Sequence, residues 1–149
     1  MTGRAGIFEA KSIHISGIVA LGRKALEDDP APNQTISQER LYALAKDCVL
    51  NKTHYSWVCV KDGEVVSALC ALVIDQTVYE RKMASVVQFY TIEAGEGEKL
   101  MRHFLAWARP QRKIKSIVFM LEVGADPRIG HLLSRMGLEE SMPTFIEWR

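Results

Sequence analysis

Cysteine is scarce in this sequence and long apolar runs are absent. Three cysteines stand among the 149 residues, none in a C-x-x-C pair, and the odd number argues against a disulfide framework. No run approaches the roughly 20 apolar residues that a membrane-spanning helix needs, and the first residues hold no apolar core of signal-peptide length. We therefore expect no disulfide scaffold and no membrane partner, but a cytoplasmic chain with reduced, structural cysteines.

An excess of charge of one sign is also missing. The chain has 19 Lys and Arg against 18 Asp and Glu, a net charge of +1, so it creates no strong field that would recruit nucleic acid. The basic run from Arg109 to Lys115 is either solvated charge near a helix end or a contact for an acidic partner, and a nucleic-acid-binding domain that uses this run ranks last because the total charge is near neutral. No two of the four histidines have the i, i+4 spacing of a helical metal pair, so no metal site is predicted.

What the sequence does contain is enough apolar residues, 48%, for one core, and we expect one domain over 1–149. Ser37 is suited to cap a helix, and Asp62-Gly63 between two strand-like runs predicts a hairpin. The predicted elements are strand Gly6–Ala10, a helix from Ser12 or His14 to Leu26, helix Gln38–Leu50, strands Tyr55–Lys61, Glu64–Ile74 and Lys82–Thr91, a helix from Gly97 to Arg109, strand Ile114–Leu121, helix Arg128–Met136 and strand Thr144–Trp148.

A glycine-containing segment, Glu93-Ala94-Gly95-Glu96-Gly97, joins a predicted strand to a predicted helix. Missing side chains at Gly95 and Gly97 allow a ligand to approach the backbone, and the free N–H groups of a helix start favour an anion such as a pyrophosphate. The alternative is that both glycines only make a tight turn.

The order of elements and three segments resemble the GCN5-related N-acetyltransferase (GNAT) superfamily. The segments are the hairpin VCVKDGEVVSALCAL, the strand–G-x-G–helix unit VVQFYTIEAGEGEKLMRHFLAWA, and ADPRIGHLLSRMGLEES, which ends in Gly137-Leu138. The resemblance implies an α/β (α+β) fold, a mixed and mostly antiparallel central sheet flanked by four helices. It also implies an acetyl-CoA-dependent N-acetyltransferase that acts on an amine of a small molecule or protein.

The resemblance further implies where acetyl-CoA, as co-substrate, is held. Backbone amides from Gly95 through Glu96, Gly97 and Glu98 to Lys99 would bind its pyrophosphate, and Tyr90 and Thr91 would align its pantetheine between two strands that splay apart. Removing a proton from the amine needs a base, because amines arrive protonated. The candidates are two carboxylates at the ends of those strands, Glu122 and Glu93, acting directly or through water.

Two positions depart from the family pattern. Ile92 stands where the family has Gln or Arg, and Leu133 stands where it often has a tyrosine that protonates the departing thiolate. Glu93, Glu96 and Glu98 also surround the proposed anion site, where carboxylates repel a phosphate. A non-catalytic GNAT-like module that binds or assembles proteins, with a homodimer among the options, is therefore the alternative function.

Overall fold

The computed structural model describes residues 5–27, 35–76, 78–120, 127–140 and 147. Contacts divide the chain into two compact units, residues 1–119 and 120–149. In the first unit the described elements are strand β1 (Ala5–Glu9), helix α1 (Ile15–Glu27) after a short 3-10 turn (Ser12–His14), helix α2 (Gln38–Leu50), strands β2 (His54–Lys61), β3 (Glu64–Asp75) and β4 (Lys82–Thr91), helix α3 (Ala94–Ala108) and strand β5 (Ile114–Phe119).

The strands form one sheet in the order β1-β2-β3-β4-β5. The first three pairings are antiparallel and the β4–β5 pairing is parallel, so the sheet is mixed and mostly antiparallel, as expected. The turn between β2 and β3 has positive φ at both Asp62 (52°) and Gly63 (78°). Positive φ at both central residues matches the right-handed twist of the flanking strands, which confirms the predicted hairpin.

The helices of the first unit cover both faces of the sheet. Val58 and Ala68 pack against α1 and α2, in a core that includes Ile18, Leu21 and Leu41. Successive strand residues point to opposite faces, and Trp57 packs instead on Phe104 and Trp107 of α3, with ring centroids 6.0 and 5.0 Å away. All three cysteines are buried and unbridged.

Helix α1 lies unusually close to the sheet at one glycine. A Cβ built on Gly17 would lie 2.6 Å from Cγ2 of Val65, which is closer than two carbon atoms can pack. The missing side chain at Gly17 therefore allows α1 to approach β3 this closely. Helix α2 begins as predicted, because the Ser37 hydroxyl accepts a hydrogen bond from the Arg40 N–H at 3.2 Å.

The second unit contains helix α4 (Pro127–Arg135). Gly137 follows it with φ 95°, and the Leu138 N–H donates to the Leu133 carbonyl at 3.0 Å. This is the hydrogen-bonding pattern of a helix that ends in a left-handed glycine, so the predicted stop at Gly137 is confirmed. The predicted closing strand Thr144–Trp148 lies outside the described residues, apart from Glu147.

Two predicted boundaries near the candidate site were wrong. The predicted loop 93–97 is largely helical, because α3 begins at Ala94, so both glycines lie in its first turn. Strand β5 ends at Phe119 and Met120 lies beyond it, whereas Leu121 falls outside the described residues. In the part of the chain that the structure describes, no helix is long and apolar enough to cross a membrane.

Candidate functional site

Two residues separate the end of β4 from the start of α3, where the helix presents unpaired donors. Its hydrogen-bond ladder begins with the Gly97 N–H, which donates to the Glu93 carbonyl at 3.0 Å. The N–H groups of Ala94, Gly95 and Glu96 precede that ladder and have no intrahelical acceptor. They also carry the positive end of the dipole of a 15-residue helix. This helix start therefore favours an anion.

The predicted set of donating amides shifts accordingly. The N–H groups of Gly97, Glu98 and Lys99 belong to the helical ladder, so they are not available to a ligand. The Ala94 amide, which the sequence did not single out, belongs with Gly95 and Glu96. A correctly predicted helix start would have indicated this amide, but the two glycines made the segment resemble a loop.

The two glycines of the G-x-G pair have different environments. Gly95 is exposed, and a Cβ built there would meet no atom within 4 Å. Gly97 is buried, and its Cβ would lie 2.9 Å from Oγ1 and 3.0 Å from Cγ2 of Thr91. Gly97 thus lets α3 pack closely on β4, and only Gly95 borders open space where a ligand could approach.

The Thr91 hydroxyl holds the junction between β4 and α3 together. It donates to the Glu93 carbonyl at 2.7 Å and accepts from the Glu93 N–H at 3.2 Å. Ser67 Oγ lies 2.7 Å away, and since the single Thr91 proton is already used, Ser67 is the donor. The Thr91 side chain therefore positions the helix start and has no proton left for a ligand.

Each of the three carboxylates around this helix start has a cationic partner. Glu93 Oε2 lies 3.0 Å from Lys61 Nζ on β2. Along α3, Glu96 Oε1 lies 3.3 Å from Lys99 Nζ, and Glu98 Oε1 lies 2.9 Å from an Arg102 nitrogen. The hydrogen bond to Glu93 raises the pKa of Lys61, so this lysine keeps its charge. Local charge at the helix start is therefore balanced.

Glu96 also accepts a hydrogen bond from a buried thiol. Cys59 Sγ of β2 lies 3.3 Å from Glu96 Oε2, and the Glu96 side chain is 14% exposed. This bond is the main cause that lowers the pKa of Glu96, with Lys99 contributing. Burial, and then Glu96 itself, raises the pKa of Cys59 to about 11. At neutral pH the carboxylate is ionised and the thiol is protonated, so Cys59 is no nucleophile.

Strand β4 has an edge that β5 does not reach. The β4–β5 pairing ends at Val86↔Phe119, whereas β4 continues to Thr91. Val87 has no partner on β3, because the register shifts between Ala71↔Val86 and Cys70↔Gln88. Such a bulge re-aims the strand beyond it. We call residues 87–91 on the β5 side of β4 the open edge, and no described residue pairs with it.

Two backbone amides face the open edge. The Ile92 N–H donates to the Val66 carbonyl of β3 at 3.0 Å. Since hydrogen-bonding directions alternate along a strand, Tyr90 also faces β3, whereas the N–H groups of Phe89 and Thr91 face the open edge. The Tyr90 hydroxyl donates to Gln88 Oε1 at 2.5 Å. The main chain of Phe89 therefore replaces Tyr90 as a candidate contact, and no sequence pattern indicated it.

The remaining candidate residues are placed as follows. Glu122 lies outside the described residues. Leu133 is buried in α4 of the second unit. An apolar pocket between α1, α2 and the sheet, lined in part by Gln88 and Tyr90, has a volume of about 20 Å³, which is room for one water molecule at most. Among the described residues, no group of three or more His, Cys, Asp or Glu side chains could hold a metal ion.

Comparisons with known proteins identify the fold. No family model matches the sequence, and no curated protein sequence matches it. A possible acetyltransferase from Clostridium difficile 630 superposes with a TM-score of 0.75 at 11% identity, over 97% of each chain. A ribosomal-protein-alanine N-acetyltransferase from Brucella melitensis biovar Abortus 2308 has a TM-score of 0.68 at 13% identity, over 98% of this chain and 99% of that one.

A third similar structure holds a ligand. The aminoglycoside N-acetyltransferase AAC(6')-Iy in complex with CoA has a TM-score of 0.71 at 10% identity, over 100% of this chain and 97% of that one. All three have the GNAT acetyltransferase fold. The resemblance drawn from the sequence is therefore confirmed for the fold, at a low sequence identity that marks a divergent chain.

Proposed function

We propose that this protein is an N-acetyltransferase that uses acetyl-CoA to acetylate an amine of a small molecule or protein. The observation that carries the proposal is two sets of main-chain donors that lie close together along the chain. The amides of Phe89 and Thr91 face the open edge, and the free amides of residues 94–96 come after Ile92 and Glu93, whose own amides are bonded within the protein. An extended, amide-containing chain that ends in a diphosphate would meet these donors in sequence.

The charges of the helix start are compatible with a diphosphate. The carboxylates of Glu93, Glu96 and Glu98 each lie within 3.3 Å of a lysine or arginine nitrogen, so they leave no net negative charge there. Gly95 adds no side chain in front of the donors. The likeness to an aminoglycoside N-acetyltransferase in complex with CoA also supports this ligand.

The chain's own residues suggest how the reaction proceeds. Bound acetyl-CoA supplies a thioester whose carbonyl carbon an amine attacks. An amide of the open edge, beside the Val87 bulge, can stabilise the negative charge that develops on the carbonyl oxygen. We propose Glu122 as the base, with Glu93 second because its carboxylate is paired with Lys61. Leu133 cannot donate a proton, so water would protonate the leaving thiolate.

The binding step can be tested with one proline. The N–H of Ala94 is one of the free donors, and proline is tolerated at the first position of a helix. Glu93, with φ −129° and ψ 110°, already has nearly the conformation that a following proline requires. Ala94→Pro should therefore fold normally and bind CoA roughly 10- to 100-fold more weakly by calorimetry, as expected for one hydrogen bond lost to a charged acceptor.

The matched control for this experiment is Ala94→Gly, which keeps the N–H and should bind CoA like the wild type. Equal CoA affinities of the Pro and Gly variants would contradict a role for this amide. No binding of CoA to the wild-type protein at millimolar concentration would exclude the proposed function altogether.

The chemical step needs a separate assay. Release of the CoA thiol from acetyl-CoA, measured over a panel of small amines and peptides, would identify the acceptor class. Glu122→Gln and Glu93→Gln should each be compared with the wild type as a function of pH. The variant that replaces the base should have a much lower kcat than the wild type, with the KM for acetyl-CoA little changed.

A second function, a non-catalytic module, is favoured by one observation. The close packing of Gly97 on Thr91 explains half of the G-x-G pair without any ligand. This alternative predicts a folded protein that binds no CoA and in which Ala94→Pro changes nothing. The calorimetric experiment therefore separates the two functions.

A further inference from the structure

A basic groove lies at the beginning of β4 and β5. It has a volume of about 600 Å³ and is open to solvent. Its lining contains five cationic and two acidic side chains, a net charge of +3 in a chain whose total is +1. The lining residues are Asp75, Tyr79, Glu80, Arg81, Lys82, Arg112, Lys113 and Lys115.

The backbone beneath the groove is fixed by hydrogen bonds. The Lys82 N–H donates to the Lys113 carbonyl at 3.0 Å, which joins the two segments that form the groove. The Gln76 N–H donates to the Arg81 carbonyl at 2.9 Å, and the Ile114 N–H to the Gln111 carbonyl at 3.1 Å. The cationic side chains therefore extend from a constrained main chain rather than from a loose loop.

Three of the five cations are available to a partner. Lys82 Nζ is paired with Asp75 Oδ1 at 3.0 Å, and the Arg81 guanidinium stacks on the Tyr79 ring at 4.5 Å. Arg112, Lys113 and Lys115 are exposed, and no carboxylate of the described residues lies within 4 Å of their charged groups.

Lys115 is displayed by a bulge in β5. The register passes from Lys82↔Ile114 to Met83↔Ser116, so Lys115 has no partner on β4. A bulge changes the direction of the side chain that it carries. The groove thus has an excess of positive charge, and the bulge in β5 directs one of its cations, Lys115.

We propose that the basic groove binds an acidic segment of a partner polypeptide. Three neighbouring cations suit several carboxylates in a row, and the groove is open to solvent, so a flexible segment can reach them. A nucleic acid would need a wider basic surface than one groove in a chain of pI about 7.7 offers. Because β4 has ten residues, the groove lies roughly 30 Å along the strand from the α3 start, so this proposal is independent of acetyl-CoA binding.

Binding can be measured by fluorescence anisotropy with a labelled decaglutamate peptide and the full-length protein at 50 mM NaCl. The double variant Arg112→Glu/Lys113→Glu should bind the peptide at least about tenfold more weakly. The control Lys46→Glu/Lys52→Glu changes the net charge equally at exposed positions outside the groove, and it should keep the affinity within about twofold. Circular dichroism would confirm that both variants fold.

Raising the NaCl concentration to 200 mM should weaken binding to the wild type several-fold, since exposed ion pairs are screened. Equal losses in the two double variants would overturn the proposal, because net charge alone would then explain the binding. Tighter binding of a thymidine decanucleotide than of the peptide would also overturn it, in favour of a nucleic acid.

Discussion

Placing a carboxylate at Gly95 should affect helix stability and CoA affinity in opposite directions. Gly95 is exposed in the first turn of α3, and a side chain there meets no atom within 4 Å. Gly95→Asp is therefore accommodated without a clash. Gly95→Asn has nearly the same shape without the charge, so the difference between the two variants isolates the electrostatic effect.

The expected magnitudes follow from the helix dipole and from Coulomb's law. A carboxylate in the first turn of an empty helix stabilises it by about 0.3–1 kcal/mol. In a protein of this size that raises the melting temperature by roughly 1–4 °C relative to Asn. Near a bound diphosphate, one added negative charge at about 5 Å costs about 1 kcal/mol for each phosphate charge in water. The Kd for CoA should therefore rise roughly 5- to 30-fold.

Two measurements check this prediction. Without ligand, Gly95→Asp should have a higher melting temperature than Gly95→Asn. In calorimetric titration, Gly95→Asp should bind CoA more weakly than Gly95→Asn, and this difference in affinity should decrease as salt is added. If the two variants bind CoA with the same Kd, the free amides of α3 do not hold its diphosphate.

Three further predictions concern packing, pH and the ion pair. Gly97→Ala should destabilise the fold by about 1–3 kcal/mol in urea unfolding, because its Cβ overlaps Thr91, and the loss should be smaller in a Thr91→Ala background, which lacks Oγ1 and Cγ2; unchanged stability would contradict the packing. The contribution of Cys59 to stability should be full below pH 9 and be lost towards pH 11, since its thiol ionises near 9.0 when unfolded and near 11 when folded. Cys59→Ala should make the free energy of unfolding fall less steeply between pH 9 and pH 11. The same slope in the variant and the wild type would show that ionisation of Cys59 does not cause the fall. Lys61→Met should weaken CoA binding in calorimetry, and the loss of affinity should be smaller when Glu93→Gln is also present. The same loss in both backgrounds would show that the Lys61–Glu93 ion pair does not influence CoA binding.

Much of the fold followed from local patterns in the sequence. The hairpin turn at Asp62-Gly63 and the helix stop at Gly137 need backbone conformations with positive φ, and their residue types indicate those conformations directly. The start of α3 could not be found in the same way. Gly95 and Gly97 resemble loop residues, but the Thr91 hydroxyl fixes the Glu93 backbone so that the helix begins three residues before Gly97.

The candidate site was predicted only where its chemistry is local. Free amides at the start of α3 follow from helix geometry once the helix is placed, so Gly95 and Glu96 stay candidates for anion binding. The partners of the carboxylates were not found, because Lys61 is 32 positions from Glu93 and Cys59 is 37 from Glu96. Such pairs depend on the packing of α3 on β2, which no single-sequence pattern encodes. The open edge depends likewise on where β5 stops pairing.

The carboxylates at the α3 start can stabilise the helix without preventing an anion from binding to its free amides. Acidic residues in the first turn favour the empty helix, and unpaired they would compete with a bound phosphate. Here the sheet holds Glu93 and Glu96 through Lys61 and Cys59, so both carboxylates point towards β2 rather than across the free amides. Breaking either contact should therefore release a carboxylate near the donors, and it should impair anion binding more than it impairs the fold.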